Sequence, residues 1–182
     1  MARNARRLSA KAPWELLVTE LISQRGAALT RYAQALCGNS DDAADLVQDA
    51  LVRTFSRLRG GLEIDSAESY VRKAILNAHL DGNRRRSIWR RIAPIAIDPL
   101  PAIRVDSQID ERTDLLRKLQ TLSPRERSCI VLRYLEDQTV DSVAEYLGLS
   151  SGAVKRYLSD ALKKLQISFL ESEPDRGVNH GN

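Results

Sequence analysis

The sequence predicts an all-α protein built as two small helical domains joined by a flexible linker. Three observations carry that prediction. Apolar residues recur at helical spacing along most of the chain, and no alternating apolar–polar run survives more than a few residues. Pro94, Pro99 and Pro101 interrupt this pattern in one place, where a continuous helix would lose backbone hydrogen bonds and clash with its preceding turn. Helical patterning then resumes and runs into a strong start signal, Ser123-Pro124-Arg125-Glu126.

The elements follow in order. A first helix is expected over Pro13 to Leu36, broken at Gly38-Asn39. A second begins at Ser40, read as its N-cap, followed by Asp41 and Asp42, whose charges suit a helix N-terminus. Its apolar stripe is Val47, Leu51, Phe55 and Leu58, and Gly60-Gly61 stops it. A third starts near Ser66 and runs through Val71, Ile75 and Ala78 towards Trp89. Residues 13–91 thus form one domain behind a basic tail, 1–12, and residues 92–112 form the linker. The second domain, 113–170, opens with Leu115, Leu116, Leu119 and Leu122. Ser123 then caps a helix, Pro124 takes its first position and Glu126 closes a capping box. The inner face of that helix reads as Ile130, Val131, Tyr134 and Leu135. Residues 171–182 are polar, with Pro174, Gly177 and Gly181, and read as a disordered tail.

Composition bounds the function. The 182 residues are 43% hydrophobic and 29% charged, the balance of a globular chain. A net charge of +4 favours a polyanionic partner. Cys37 and Cys129 lie far apart and the chain has two His, so neither a disulfide framework nor a metal site is expected. Both cysteines fit helical patterns as small buried apolar residues. The basic start leads into no apolar run of signal-peptide length, and no stretch approaches the roughly 20 apolar residues of a membrane span. A cytoplasmic protein without membrane insertion is the expectation.

Three patterns carry chemistry. Val140 to Leu165 reads as a helix-turn-helix: Val143, Ala144 and Leu147 form a short apolar face, Gly148 supplies a left-handed turn, and Ser150 caps the next helix. That helix puts Val154, Leu158, Ala161 and Leu165 on one side. Ser151, Gly152, Lys155, Arg156, Ser159 and Lys163 lie on the other, as an apolar back and polar front for the major groove require. The bland alternative is an amphipathic helix with a solvated basic face. On the second helix Asp45, Gln48 and Asp49 share a face, either solvated or docked on a basic protein surface. No nucleophile, phosphate loop or metal set accompanies them, so no catalytic residue is assigned and no enzyme is expected. The third helix ends in Arg84, Arg85, Arg86, Arg90 and Arg91 around Trp89. A phosphate backbone would relieve their mutual repulsion, and the aromatic offers a stacking surface.

Taken together these segments resemble the sigma-70 family of RNA polymerase sigma factors. DAADLVQDALVRTF (Asp42 to Phe55) resembles the core-binding helix, and SYVRKAILNAHLDGNRRR (Ser69 to Arg86) resembles the helix that reads the −10 element. The stretch from Thr121 to Leu165 resembles the domain that reads the −35 element. With only these two domains the chain is similar to the extracytoplasmic-function group, with wording closest to an actinobacterial branch. The resemblance implies that Asp45, Leu46, Val47, Gln48 and Asp49 meet the β′ clamp helices of core polymerase, whose β flap is a further contact. It places Asn77, Asp81, Arg84, Arg85 and Arg86 at −10 DNA. Ser151, Gly152, Lys155, Arg156, Ser159 and Lys163 fall at −35 DNA. It implies no cofactor, and it allows an anti-sigma factor as another partner. Tyr70-Val71 stand where the family often has Trp-Leu, and the loop Arg59 to Asp65 takes the place of the family's base-capturing loop.

The linker suits that role: about twenty extended residues reach at most roughly 70 Å, against roughly 60 Å for some 17 base pairs. Two rival readings remain at this point. A stand-alone helix-turn-helix regulator with a ligand-sensing N-terminal domain would bind its operator without polymerase. An enzyme using Asp45 and Asp49 would need the groups just noted as missing.

Overall fold

In the computed structural model, residues 13–57, 63–92 and 111–172 are described. They form seven α-helices: α1 Pro13–Cys37, α2 Ser40–Arg57, α3 Ile64–Ile92, α4 Glu111–Gln120, α5 Pro124–Ile130, α6 Val140–Leu147 and α7 Ser151–Ser172. A single π-helical segment, Val131–Leu135, extends α5. Most of the expected linker lies outside the described residues, as do the basic tail 1–12 and the tail beyond Ser172. The linker's expected end is trimmed, since α4 begins at Glu111.

The first domain is a three-helix unit. Leu21, Leu29 and Leu36 of α1 are fully buried against Val71, Ile75 and Leu76 of α3. The expected stripe of α2 is corrected: the fully buried positions are Ala43 and Ala50, with Phe55 7% exposed, while Val47 and Leu51 are half-buried. Alanine at those two positions lets the α2 backbone approach its neighbours, and the larger residues flank the contact. Leu58 lies outside the described residues. The N-cap is also corrected by one position. Asn39, not Ser40, caps α2: its Oδ1 accepts from the Asp42 N–H at 2.8 Å and its Nδ2 donates back to the Asp42 carboxylate at 2.8 Å. Both residue types cap well, so the sequence could not separate them.

The second domain is built around α5. Ser123 and Glu126 form the expected capping box, the Ser123 N–H donating to Glu126 Oε2 at 2.8 Å and the Glu126 N–H to Ser123 Oγ at 3.4 Å. Lys164 of α7 donates to both Glu126 oxygens at 2.7 and 2.9 Å, which fixes α7 on the start of α5. The expected inner face fails beyond Val131. Tyr134 and Leu135 are 54% and 47% exposed, and Leu132 is buried in their place. The cause is the π-helical segment: the Glu136 N–H reaches back five residues to Val131 O at 3.1 Å, and the wider turn rotates the pattern.

The two domains touch. Arg127 of α5 is buried without a carboxylate partner and donates to four backbone carbonyls. These are Leu119 (Nε, 2.8 Å), Leu122 and Gln120 (Nη2, 3.0 and 3.2 Å), and across the seam Leu36 near the end of α1 (Nη1, 2.6 Å). Burial draws its pKa down to about 10, so the guanidinium is still charged at neutral pH. Gly38 just beyond α1 has φ +92°, and a Cβ there would meet Gln120 of α4 within 2.2–2.6 Å. Conformation and close approach both select glycine here.

The capping cluster generates a pH prediction. Burial alone would raise the Glu126 carboxyl, but Lys164 and the Ser123 N–H and hydroxyl outweigh it and hold it below its ordinary value. Its stabilising contribution is therefore complete above the unfolded carboxylate range, near pH ~4.3, and is lost as pH falls through the lower folded value. Lys164→Met is expected to destabilise the chain by about 1 kcal/mol at pH 7, discounted because Lys164 is half-exposed. At pH 3 the penalty shrinks. Urea denaturation of both proteins at the two pH values checks this, and an equal penalty at both would contradict it.

Candidate nucleic-acid interface and acidic docking face

The helix-turn-helix is assembled by local rules. Thr139 caps α6, its Oγ1 accepting from the Ser142 N–H at 3.1 Å, a cap readable in Thr139-Val140-Asp141-Ser142 but missed above. Val143, Ala144 and Leu147 are buried as expected. Gly148 takes the left-handed conformation (φ 61°, ψ 42°), and Leu149 N–H reaches back to Ala144 O at 2.9 Å. Ser150 caps α7 through the Ala153 N–H at 3.2 Å. The back of α7, Val154, Leu158, Ala161 and Leu165, is buried.

The front of α7 presents Gly152, Lys155, Arg156, Ser159 and Lys163, all exposed. At about 100° per residue they fall within an arc of roughly 100°. Ser151 departs from this set. It is half-buried and its hydroxyl donates to Asp141 Oδ1 at 2.6 Å, tying the first turn of α7 to α6.

On α3, Asn77, Asp81, Arg84 and Arg85 are exposed, and their spacing places them on one ridge. Arg86, Arg90 and Arg91 lie within α3, but their side chains fall outside the described residues. Sequence reasoning missed that Tyr70, 55% exposed, and exposed Lys73 continue the same ridge towards the start of α3; the i, i+3, i+4 spacing back from Asn77 was the available signal. The neighbouring polar pair serves the fold instead. Asn83 donates to His79 O at 2.8 Å and sits 3.0 Å from the buried His79 ring.

On α2, Asp45, Gln48 and Asp49 are exposed on one face, with Leu46 and Val47 half-buried beneath them. Asp49 pairs loosely with Arg53 at 3.9 Å. The same face carries Val52, 62% exposed, which lay outside the apolar stripe and was not picked out.

The cations divide into two kinds. Arg25, Arg72, Lys118 and Lys164 are engaged by carboxylates. Arg84, Arg85, Lys155, Arg156 and Lys163 form no ion pair among the described residues and lie on the two candidate nucleic-acid faces; Arg31 of α1 and Arg125 of α5 are also exposed and unpaired, on other helices.

Comparison with known proteins bears on both domains. Residues 21–90 match the model of Sigma-70 region 2, and residues 112–165 match that of Sigma-70, region 4. The chain is 34% identical over 159 residues to the RNA polymerase sigma-E factor of Streptomyces avermitilis, covering 86% of this chain and 87% of that one. The chain belongs to the sigma-70 family. It also matches the ECF RNA polymerase sigma factor SigE of Mycolicibacterium smegmatis, at 29% identity over 155 residues, 81% of this chain and 59% of that protein. Together these make it an ECF sigma factor, a protein that directs transcription initiation. Among solved structures, the sigma factor RpoE of Bartonella quintana, in complex with the anti-sigma factor NepR, shares the fold with TM-score 0.61. That alignment has 21% identity over 86% of this chain and 98% of that one. The region 2 match removes the reading of the N-terminal half as a ligand-sensing domain. No helix among the described residues of this sigma factor is long and apolar enough to cross a membrane.

The turn between α6 and α7 supplies a test of how the sigma factor aims α7. A Cβ at Gly148 would meet nothing within 4 Å, so only backbone strain opposes a substitution. Gly148→Ala is expected to cost about 1–2 kcal/mol, and Gly148→Asn clearly less, because its side chain tolerates the left-handed region. Thermal denaturation of the two variants checks the order.

Proposed function

We propose that this sigma factor carries core polymerase to promoters by dividing the work among its three exposed faces. Asp45, Leu46, Val47, Gln48 and Asp49, joined by Val52, dock on the β′ clamp helices. Asn77, Asp81, Arg84, Arg85 and Arg86 read −10 DNA, within a domain spanning 13–91. Gly152, Lys155, Arg156, Ser159 and Lys163 read −35 DNA from a domain spanning 113–170, which also meets the β flap. Ser151 acts at the edge of that set, oriented by Asp141. The observation that carries the reading is the clustering of charge: exposed cations without ion pairs gather on one face of α3 and one face of α7, one set per domain, while Arg31 of α1 and Arg125 of α5 stand singly, and the acidic face lies apart on α2.

Mechanistically the chain supplies no bond-making chemistry. It holds polymerase over two elements and retains unstacked −10 bases, at a cost of a few kcal/mol per base, offset by pocket contacts and phosphate neutralisation. The site of action is the cytoplasm. Since RpoE is solved with an anti-sigma factor bound, an anti-sigma protein is proposed as a third partner here.

The deciding experiment compares the chain alone with the chain plus core polymerase on promoter DNA. Alone it is expected to bind duplex weakly, with steep salt dependence, and to open none. With core, permanganate-reactive thymines appear near the −10 element. Nanomolar protection by the isolated chain, unaltered by core, would overturn the proposal. Asp45→Lys with Asp49→Lys is expected to weaken holoenzyme formation without unfolding either domain, as a pull-down titration would read. Arg156→Ala is expected to cost about 1–3 kcal/mol and relax preference at one −35 position; an equal loss on every sequence would assign Arg156 to phosphate.

A further inference from the structure

We propose that Asp141 sets the base preference of Ser151 at the −35 element. By engaging the serine's one proton it leaves an oxygen that can accept but not donate, which selects an amino base, adenine or cytosine, on the contacted strand. The inference rests on the −35 assignment above and narrows it to one position.

Asp141 stands in the first turn of α6 and Ser151 opens α7, so the two side chains meet across the turn that Gly148 makes. The Ser151 hydroxyl donates to Asp141 Oδ1 at 2.6 Å, within the short range of a hydroxyl bonded to a carboxylate. A carboxylate only accepts, so the direction of this bond is fixed. A hydroxyl has one proton and two lone pairs. With the proton committed, Ser151 offers lone pairs alone to anything beyond the helix-turn-helix. Two observations leave them within reach. Ser151 is half-buried rather than buried, and Asp141 is exposed. Gly152 beside it contributes no side chain, and the space there is open: beyond its chain neighbours and the helix's own backbone, a Cβ would meet only Ser150 Oγ, at 4.0 Å.

An acceptor at that place discriminates. A serine on a recognition helix commonly donates to a phosphate oxygen. Here the proton is taken and a carboxylate stands beside it, so both hydrogen bonding and charge turn a phosphate away. In the major groove guanine offers N7 and O6 and thymine O4, all acceptors, whereas adenine and cytosine present their N6 and N4 amino groups. Lone pairs facing O6 or O4 repel. Facing an amino group, they form a hydrogen bond that leaves the Asp141 bond intact. Each base pair carries one amino and one keto base in that groove, so the contact fixes the strand on which the amino base lies. Lys155 and Arg156, one turn further along α7, only donate and favour guanine, so Ser151 adds the complementary preference.

The test uses holoenzyme reconstituted from the full chain and core polymerase. Its preferred promoter is obtained by selecting transcribed templates from a duplex library randomised over both elements. Each −35 position is then replaced by every base, and open-complex formation is titrated. The parent is expected to show one −35 position at which adenine and cytosine on one strand outperform guanine and thymine by roughly tenfold, the size of a single mismatch. Asp141→Ala frees the hydroxyl to rotate and donate, so this gap is expected to close at that position and no other. Ser151→Ala is expected to close the same gap, and the double variant to do no more than either. Ser151→Thr, which keeps the hydroxyl, is expected to retain it. Three results would overturn the proposal: no position so divided in the parent, an Asp141→Ala variant that keeps the gap, or one that loses activity equally on every template, as a merely structural role would give. A selection that returns no −35 preference removes the −35 assignment as well. A −35 block that responds to Arg156→Ala but lacks this division removes the Asp141 proposal alone.

Discussion

A buried guanidinium without a counter-ion organises this structure. Taking a cation out of water is costly unless every donor is met, and Arg127 meets the cost with backbone carbonyls alone. Those carbonyls belong to the ends of α1 and α4 and to the turn before α5, where unpaired helix C-terminal groups carry partial negative charge. One side chain thus donates to the ends of three chain segments; at Leu119 it does so alongside the Leu122 N–H, which the same carbonyl accepts at 3.2 Å. From that point the second domain follows in steps. The turn it braces presents Ser123 and Glu126 as a capping box, Glu126 receives Lys164, and Lys164 sets α7 on α5. The angle at which α7 offers Lys155 and Arg156 is inherited from this chain of bonds.

The same logic separates charge held inside the fold from charge left open to solvent. Lys118 is 5% exposed, paired with Asp114 at 2.7 Å and stacked 3.5 Å over Phe169, and is spent on packing α4 against α7. Lys155 and Lys163 have no such partner and stay hydrated. Cations held open to solvent gain most from a phosphate backbone, because releasing condensed counter-ions costs the protein no internal bond.

Local features of the fold were legible in the sequence, since capping and turn chemistry act over a few residues. Ser123-Pro124-Arg125-Glu126, Gly148 and Ser150 behave as their residue types dictate. Asn39 displaced Ser40 because two good caps stood side by side. Tyr134 and Leu135 were misplaced because periodicity assumes a constant turn, and the π-helical segment breaks that assumption. Ala43 and Ala50 were overlooked because a stripe is sought in large residues. Of the candidate faces, positions on α2, α3 and α7 could be assigned from spacing, yet the engagement of Ser151 by Asp141 could not, since it depends on how α6 meets α7. Arg127 was unreadable for a deeper reason. Its partners are carbonyls, which every residue carries, and one of them lies 91 positions away.

The distribution of those four hydrogen bonds also shows how lightly polar contacts tie the two domains. Three stay inside the second domain and only the Leu36 bond crosses the seam. Separation exposes one guanidinium nitrogen and one helix-end carbonyl, both of which water satisfies well, so the net loss is that of an ordinary hydrogen bond to a charged group, about 1.5–3 kcal/mol. The contact across the seam between Arg72 of α3 and Glu136 behaves in the same way. Burial, with repulsion from Glu68, raises the Glu136 carboxyl pKa against the lowering pull of Arg72, and Arg72 also holds Glu68 on its own helix. The polar bonds across the seam are thus few beside those that cap each domain's helices, while the buried apolar residues of both domains form one cluster.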